Sequence, residues 1–271
     1  MALNLDTLNP QQREAVLAGD DPLLVLAGAG TGKTTAITYR IAHLMESRRI
    51  FPREILAVTF TNKAAREMRE RAAALANMEP RELDIGTFHG ICGRILRRYG
   101  ERIGLDRSFT IYDSDDQLAL IKKTQNDLNI DVQAFPPKAL RARIESWKNH
   151  GWLPEEVEAS GLDLIEQKAR VVYGEYRKRC LEMNAVDFGD LLLNVVTLTK
   201  RDEAVRLSLQ QRWRFVLVDE YQDTNPVQYQ LLQQLVTRDH SLTVVGDDDQ
   251  SIYRWRGADI GNILRFERDF P

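Results

Sequence analysis

Lys33 and Thr34 stand side by side behind the small-residue run Ala27-Gly28-Ala29-Gly30-Thr31-Gly32, which follows directly on an apolar stretch from Leu23. The pattern suits phosphate chemistry. Glycines allow backbone N–H groups to turn inward around an anion, and a helix that begins at the end of the loop adds a favourable dipole. A lysine there reaches the outer phosphates of a nucleoside triphosphate, and the neighbouring hydroxyl is placed to ligand a magnesium ion. Two details depart from the simplest form of the motif. Ala27 takes the place of the usual first glycine of G-x-x-x-x-G-K-[ST], and Thr35 follows the pair.

A magnesium nucleotide site needs a second carboxylate at the end of a neighbouring strand. "FVLVDEYQDTN" supplies one: Asp219 closes an apolar run and can hold the metal, while Glu220 beside it can take a proton from an attacking water. Guanine-nucleotide switches are disfavoured, because "TNKAA" lacks the aspartate of an Asn-Lys-x-Asp guanine reader. A third stretch, "TVVGDDDQSIYRWRGADI", ends another apolar run and carries Gln250, placed to touch a terminal phosphate or the attacking water. Tyr253, Arg254, Trp255 and Arg256 come next. If extended, they put two aromatics on one side and two arginines on the other. Aromatic platforms interleaved with cations suit single-stranded nucleic acid, since every base offers a face to stack on. A core tryptophan with surface arginines is the competing reading.

The elements that must position these groups are legible as short, continuous apolar runs at Leu23–Ala27, Ile55–Phe60, Asp84–Phe88, Phe215–Asp219 and Leu242–Gly246. Without polar alternation such runs read as strands buried on both faces, the mark of a parallel sheet covered by helices. Asn9-Pro10 and Asn225-Pro226 each look like an N-cap with proline at the first helical position. The helix expected from Ala64 places Ala65, Met68, Ala72 and Leu75 on one stripe. Between about Gly90 and Asp190 there is no convincing buried strand. Amphipathic helical pattern there is broken at Asn129-Ile130-Asp131, Phe135-Pro136-Pro137 and Gly151-Trp152-Leu153-Pro154. The expected organisation is an α/β core formed by residues 1–91 and 187–271, with an all-helical insertion over 92–186.

Bulk properties bound the partners. A formal net charge of −3 excludes a uniformly basic nucleic-acid binder, so contact with a polyanion must come from local patches. Cys92 and Cys180 match no metal-ligand spacing and read as reduced thiols. "MALNLDTLNP" lacks a basic region followed by an apolar stretch, and no apolar run approaches the ~20 residues of a membrane span. A cytoplasmic protein without a membrane segment is expected.

With these stretches in hand, the sequence resembles the superfamily 1 DNA helicases of the UvrD/Rep/PcrA type, over essentially the whole chain and in the family's motif order. "LNPQQREAV" is similar to the adenine-reading segment, with Gln12 at the glutamine position; Gln12 also reads as the third-position partner of an Asn9 cap. "AGAGTGKTT" resembles the family's phosphate loop, which also begins with alanine, although Thr35 stands where arginine is frequent. "AVTFTNKAAREMRER" resembles the first DNA-contact motif and implies Phe60, Thr61 and Asn62 on the single-strand path. "GTFHGICGRILRRYG" resembles the second and implies Thr87, Phe88 and His89. "DFGDLL" resembles the return from the insertion to the core. "DEYQDTN" and "GDDDQSIYRWRGAD" match almost letter for letter. By resemblance Asp219 is a magnesium ligand, Glu220 the catalytic base, Gln250 a link between γ-phosphate and DNA, and Tyr253 and Trp255, with Arg256, DNA contacts.

The resemblance implies a RecA-like fold, the cofactors ATP and Mg2+, and single-stranded DNA and single-strand/duplex junctions as partners. The activity it implies is ATP-driven helicase translocation in the 3′-to-5′ direction. It also implies a second RecA-like half that supplies further arginines to the γ-phosphate. The chain is accordingly expected to be the amino-terminal half of a longer helicase and to hydrolyse ATP weakly alone. Two alternatives stand beside this: a nucleotide-gated DNA-binding module without motor activity, and the amino-terminal half of a recombination helicase-nuclease. Within the insertion, Arg94, Arg97, Arg98 and Arg102 read as a solvated charged face, and Trp147 and Trp152 as core or hinge residues.

Overall fold

The computed structural model describes residues 3–28, 30–247 and 261–270. The chain divides into two compact units. One comprises Met1–Gly90, Glu203–Thr224 and Leu232–Pro271; the other comprises Ile91–Asp202 and Asn225–Leu231.

The first unit is built on a parallel sheet. Strands β1 (Leu23–Leu26), β2 (Ile55–Thr59) and β3 (Asp84–Thr87) come from the first part of the chain. Two further short strands, β4 (Thr110–Tyr112) and β5 (Ala185–Asp187), belong to the second unit. The sheet is then completed by β6 (Phe215–Val218) and β7 (Ser241–Gly246) in the order β1-β7-β6-β2-β3. Every neighbouring pair is parallel, with register pairs such as Val25↔Val245, Leu217↔Thr243, Ala57↔Leu217 and Ala57↔Ile85.

The continuous apolar runs have their reason here. Ile55, Ala57, Phe215, Leu217 and Val245 pack with Ile37, Ile41 and Leu44 of the helix Lys33–Ser47 and with Met68 and Ala72 of the helix Asn62–Leu75. The alternate residues Leu56, Val58, Val216, Val218, Leu242 and Val244 are buried too, so both faces of β2, β6 and β7 are covered. β1, at the end of the sheet, departs from the expectation, being only partly buried with Leu26 exposed.

The second unit is mainly helical: Ser114–Asp127, Pro137–Asn149, Leu164–Glu182 and Phe188–Arg201 surround a core of Leu140, Ile144, Trp147, Val172, Tyr173 and Tyr176. The expected breaks terminate or start helices. Asn129 takes φ +53 after the first of these helices, Gly151 takes φ +79 after the second, and Pro137 opens the second.

Two expectations are corrected. The unit is not all-helical, because β4 and β5 form a small parallel ladder, Thr110↔Ala185 to Tyr112↔Asp187; strands of three residues are too short to show a period in sequence. The segment after residue 187 also stays with this unit as far as Asp202. Asp187 and Asp190 bind the buried ammonium of Lys148, which ties the helix Phe188–Arg201 to the helical unit. Trp147 is a core residue, as expected, whereas Trp152 is exposed and stacks on His150 at 5.0 Å between ring centres. Arg97 lies over the Phe109 ring and donates to the Arg107 carbonyl, and Arg102 pairs with Asp202 at 3.3 Å, so these charges have local partners.

Candidate nucleotide site and the neighbouring strand ends

In a parallel sheet all carboxyl ends share one edge, and the loops that leave them can share a site. The loop after β1 is pinned to β7 by the Ala27 N–H, which donates to the Gly246 carbonyl at 3.0 Å. Across the loop, the Thr31 hydroxyl donates to the Gly28 carbonyl at 2.7 Å. Gly30 and Gly32 take φ +73 and +85, left-handed backbone in which a side chain is strained. Gly32 also has no room: a Cβ there would lie 2.4 Å from Gln12 Nε2. The helix Lys33–Ser47 then starts without a side-chain cap, leaving its first N–H groups and dipole directed at the loop.

Three carboxylates converge on that helix start. Lys33 Nζ lies 3.3 Å from Asp247 Oδ2 and 3.8 Å from Glu220 Oε2. The Thr34 hydroxyl donates to Asp219 Oδ2 at 3.5 Å. Burial, and then the neighbouring Glu220 charge, push the Asp219 carboxyl up to about 6; the Glu220 N–H, Lys33 and the Thr34 hydroxyl pull it the other way. A buried carboxylate with raised proton affinity gains from a cation at that oxygen, and paired carboxylate and hydroxyl oxygens are hard donors of the kind magnesium takes. The residues fit that ion.

Glu220 adopts φ +52, ψ +46, a left-handed conformation unusual for a residue with a side chain, at the turn directly after β6. Its Oε2 accepts from Gln222 Nε2 at 2.7 Å, and Gln222 Oε1 accepts from the Asp247 N–H at 3.0 Å.

Gln222 and Asp247 are the two site residues that sequence reading missed. Both are buried, at 2% exposure. Asp247 directly follows β7, and its nearness to Lys33 depends on β7 lying beside β1, an order that local patterns do not carry.

Of its two readings, Gln12 takes the one as partner of the Asn9 cap. Its backbone N–H donates to Asn9 Oδ1 at 2.8 Å and its Oε1 accepts from the Asn9 N–H at 3.1 Å, completing the capping box of the helix Pro10–Leu17. Its Nε2 donates to the Thr31 carbonyl at 2.8 Å, tying the cap to the phosphate loop. Thr35 lies in the first turn of the helix Lys33–Ser47 and is half-buried. Ala29, Gln250, Tyr253, Trp255 and Arg256 lie outside the described residues.

The other candidate segments leave the same edge after β2, the neighbour of β6, and after β3. Thr59 and Thr87, the last residues of β2 and β3, are in register. Phe60 and His89 are half-buried and Asn62 is exposed. The Thr61 hydroxyl accepts from the Ala64 N–H at 3.1 Å and caps the helix Asn62–Leu75; the Thr87 hydroxyl accepts from the Gly90 N–H at 3.1 Å. Phe88 is 2% exposed, so its ring serves the core instead of being offered to a base. An aromatic just after a strand reads equally as platform or as core, and only burial decides.

The family model of the UvrD/REP helicase N-terminal domain matches residues 8–271. The chain is 47% identical over 267 residues to the ATP-dependent DNA helicase PcrA of Bacillus subtilis (strain 168), a match covering 98% of this chain and 36% of that protein. It is 49% identical over 270 residues to a probable DNA helicase II homolog of Rickettsia felis, covering 98% of this chain and 41% of the relative. With the PcrA of Staphylococcus aureus (strain Mu50) the identity is 43% over 267 residues, 98% of this chain and 37% of the relative. The chain thus spans well under half the length of these relatives.

Proposed function

The chain belongs to the UvrD/REP helicase N-terminal domain family, and from that premise we propose that it carries the ATP- and DNA-binding part of a DNA helicase that moves along single-stranded DNA in the 3′-to-5′ direction. The observation that supports this best is the meeting of Lys33, Thr34, Asp219 and Glu220 at one point of the sheet edge, although 185 residues separate Thr34 from Asp219.

Each group has a task in hydrolysis. The loop N–H groups and Lys33 hold the β- and γ-phosphates of ATP. Thr34 and Asp219 would hold magnesium, which when bound would supply charge neutralisation at the phosphates. Glu220 aligns the attacking water and takes its proton, and Gln250 senses the γ-phosphate. Gln12, fixed by its cap, presents its amide near the loop, where adenine would be read. Phe60, Thr61, Asn62 and His89 lie along the DNA path, with Tyr253, Trp255 and Arg256 as further contacts at single-strand/duplex junctions.

The transition state also needs arginines worth ~10³ to 10⁵ in rate, which in this reading come from a second RecA-like half. The chain alone therefore binds ATP·Mg2+ and hydrolyses it slowly. No described helix is long and apolar enough to cross a membrane, and the proposed task places the protein in the cytoplasm.

The test is steady-state ATP hydrolysis with and without oligo-dT, using Lys33→Ala as the blank. Slow hydrolysis in both conditions, with nucleotide binding lost in the lysine variant, is expected. Strong DNA-stimulated turnover by the chain alone would overturn the claim that the site is completed from elsewhere.

A further inference from the structure

Two hydrogen bonds run through one buried side chain, Gln222. Its amide nitrogen donates to Glu220 Oε2 at 2.7 Å, and its amide oxygen accepts the Asp247 backbone N–H at 3.0 Å. The residue belongs to the short turn Tyr221–Asp223 that follows β6, and Asp247 directly follows β7, so the amide spans the ends of two adjacent strands.

The surroundings are shaped to it. A Cβ at Gly246 would lie 3.0 Å from Gln222 Oε1 and 3.6 Å from Tyr221 Cβ, so a side chain at that position would press on the amide. Gly246 takes no left-handed backbone; the requirement there is space.

We propose that Gln222 is a positioning residue for hydrolysis, holding the Glu220 carboxylate at a fixed place relative to the end of β7. The inference rests on the reading of Glu220 as the base. By occupying Oε2, the amide leaves Oε1 as the oxygen that takes the proton from water, and it stops the carboxylate from rotating between equivalent settings. Glu220 sits on left-handed backbone with no side-chain cap bond at that turn, and the amide at 2.7 Å holds its Oε2 more closely than Lys33 does at 3.8 Å. The second hydrogen bond makes this setting depend on Asp247, whose carboxylate is also a partner of Lys33 at 3.3 Å. A phosphate that draws Lys33 away from Asp247 is thereby reported to the base through two side chains and one backbone amide. Nucleotide affinity rests mainly on the loop N–H groups, Lys33 and Thr34, none of which hydrogen-bonds Gln222 directly.

The test compares Gln222→Met, which keeps length and loses both hydrogen bonds, with Gly246→Ala, which leaves Gln222 in place and crowds it. Single-turnover hydrolysis is followed with protein in excess over ATP·Mg2+, and affinity is measured separately with a fluorescent ATP analogue. Each variant is expected to slow hydrolysis roughly 10- to 100-fold, part of the 10²–10⁴ a general base contributes. For Gln222→Met, affinity should stay within about twofold, which also shows that it has folded. Gly246→Ala is compared by its rate at saturation, because the Gly246 carbonyl also anchors Ala27 of the loop. The double variant should be no slower than the worse single one, because both act through one contact.

Parental hydrolysis by Gln222→Met, an equal fall in affinity and rate, or fully additive effects would each overturn the inference. Glu220→Gln separates this from failure of the underlying reading. If that variant hydrolyses normally, Glu220 is not the base; if it is inactive while Gln222→Met is normal, only the positioning role falls.

Discussion

The Lys148 ammonium donates to Asp187 Oδ2 at 2.6 Å, wholly inside the helical unit, and meets Asp190 Oδ1 at 2.7 Å on its other side. Asp187 also accepts from the Tyr176 hydroxyl at 2.8 Å and, as N-cap of the helix Phe188–Arg201, from the Asp190 N–H at 2.9 Å. Lys148→Met would remove the cation shared by two adjacent buried carboxylates, with Arg177 still 3.7 Å from Asp190 Oδ1. Breaking a buried pair on one side costs about 3–5 kcal/mol, and urea denaturation at neutral pH is expected to show a loss of that order. Burial works to raise Asp187, but the Lys148 charge together with the hydrogen bonds from Lys148, the Asp190 N–H and the Tyr176 hydroxyl outweighs it and holds the carboxyl below its ordinary range. In the parent its contribution is present above about pH 4 and is lost as pH falls further. In the variant the sign reverses, since protonation relieves the repulsion. The deficit should shrink on acidification, and adding Asp187→Asn and Asp190→Asn should recover most of it.

Asp219 is the opposite case. Its folded value, about 6, exceeds the ordinary carboxylate value of about 4, so the folded state binds the extra proton between those limits and stability falls as pH rises through them. In the absence of metal, Asp219→Asn is expected to raise stability at pH 7.5 by about 2 kcal/mol and to change it little at pH 4, while abolishing ATP·Mg2+ binding. Thermal melts at the two pH values check the first part; a parallel rise at both would refute it.

Gly32→Ala combines left-handed strain with a clash against Gln12 Nε2. The strain alone is about 1–2 kcal/mol, and the Gln12–Thr31 hydrogen bond is lost as well. A roughly tenfold or greater fall in nucleotide affinity is expected in a fluorescence titration. Unchanged affinity would mean that the loop relaxes without consequence for the phosphates.

Arg40 is buried at 2% exposure and donates to the carbonyls of Ala15, Ala18 and Gly19 at the end of the helix Pro10–Leu17, and to the Thr243 hydroxyl of β7 at 2.8 Å. Burial first, then the Arg48 charge, lower it to about 10, which leaves it charged at neutral pH. Replacement by methionine orphans several helix-end carbonyls, at an expected cost of about 2–4 kcal/mol. Arg40→Lys should do nearly as badly, because a single ammonium cannot reproduce a five-donor fork. Full stability in the lysine variant, by urea denaturation, would show that charge alone suffices.

The strands, the phosphate loop and the Asp-Glu pair were readable because each is a contiguous signal: an apolar run, a glycine cluster, an acidic strand end. Gln12 was readable as two competing roles, and its amide fills the cap while also gripping the loop. What escaped was non-local. Gln222 and Asp247 acquire roles only because β7 lies between β1 and β6. The Lys148 network joins residues whose partners lie 39 positions away, and β4 and β5 are too brief to carry a pattern.

That same strand order sets a schedule for synthesis. β1 has β7 as its partner, and residues 27–240 must be made before β7 begins. At about 5–20 residues per second the delay is on the order of 10 to 40 s. β2 and β3, joined by one helix, can pair early, whereas the apolar strand ahead of the phosphate loop emerges first and waits longest. A ribosome-bound chain stalled before residue 241 would therefore lack a nucleotide pocket even with Lys33 and Thr34 long since exposed, and its first strand is the segment that most needs shelter in the interval.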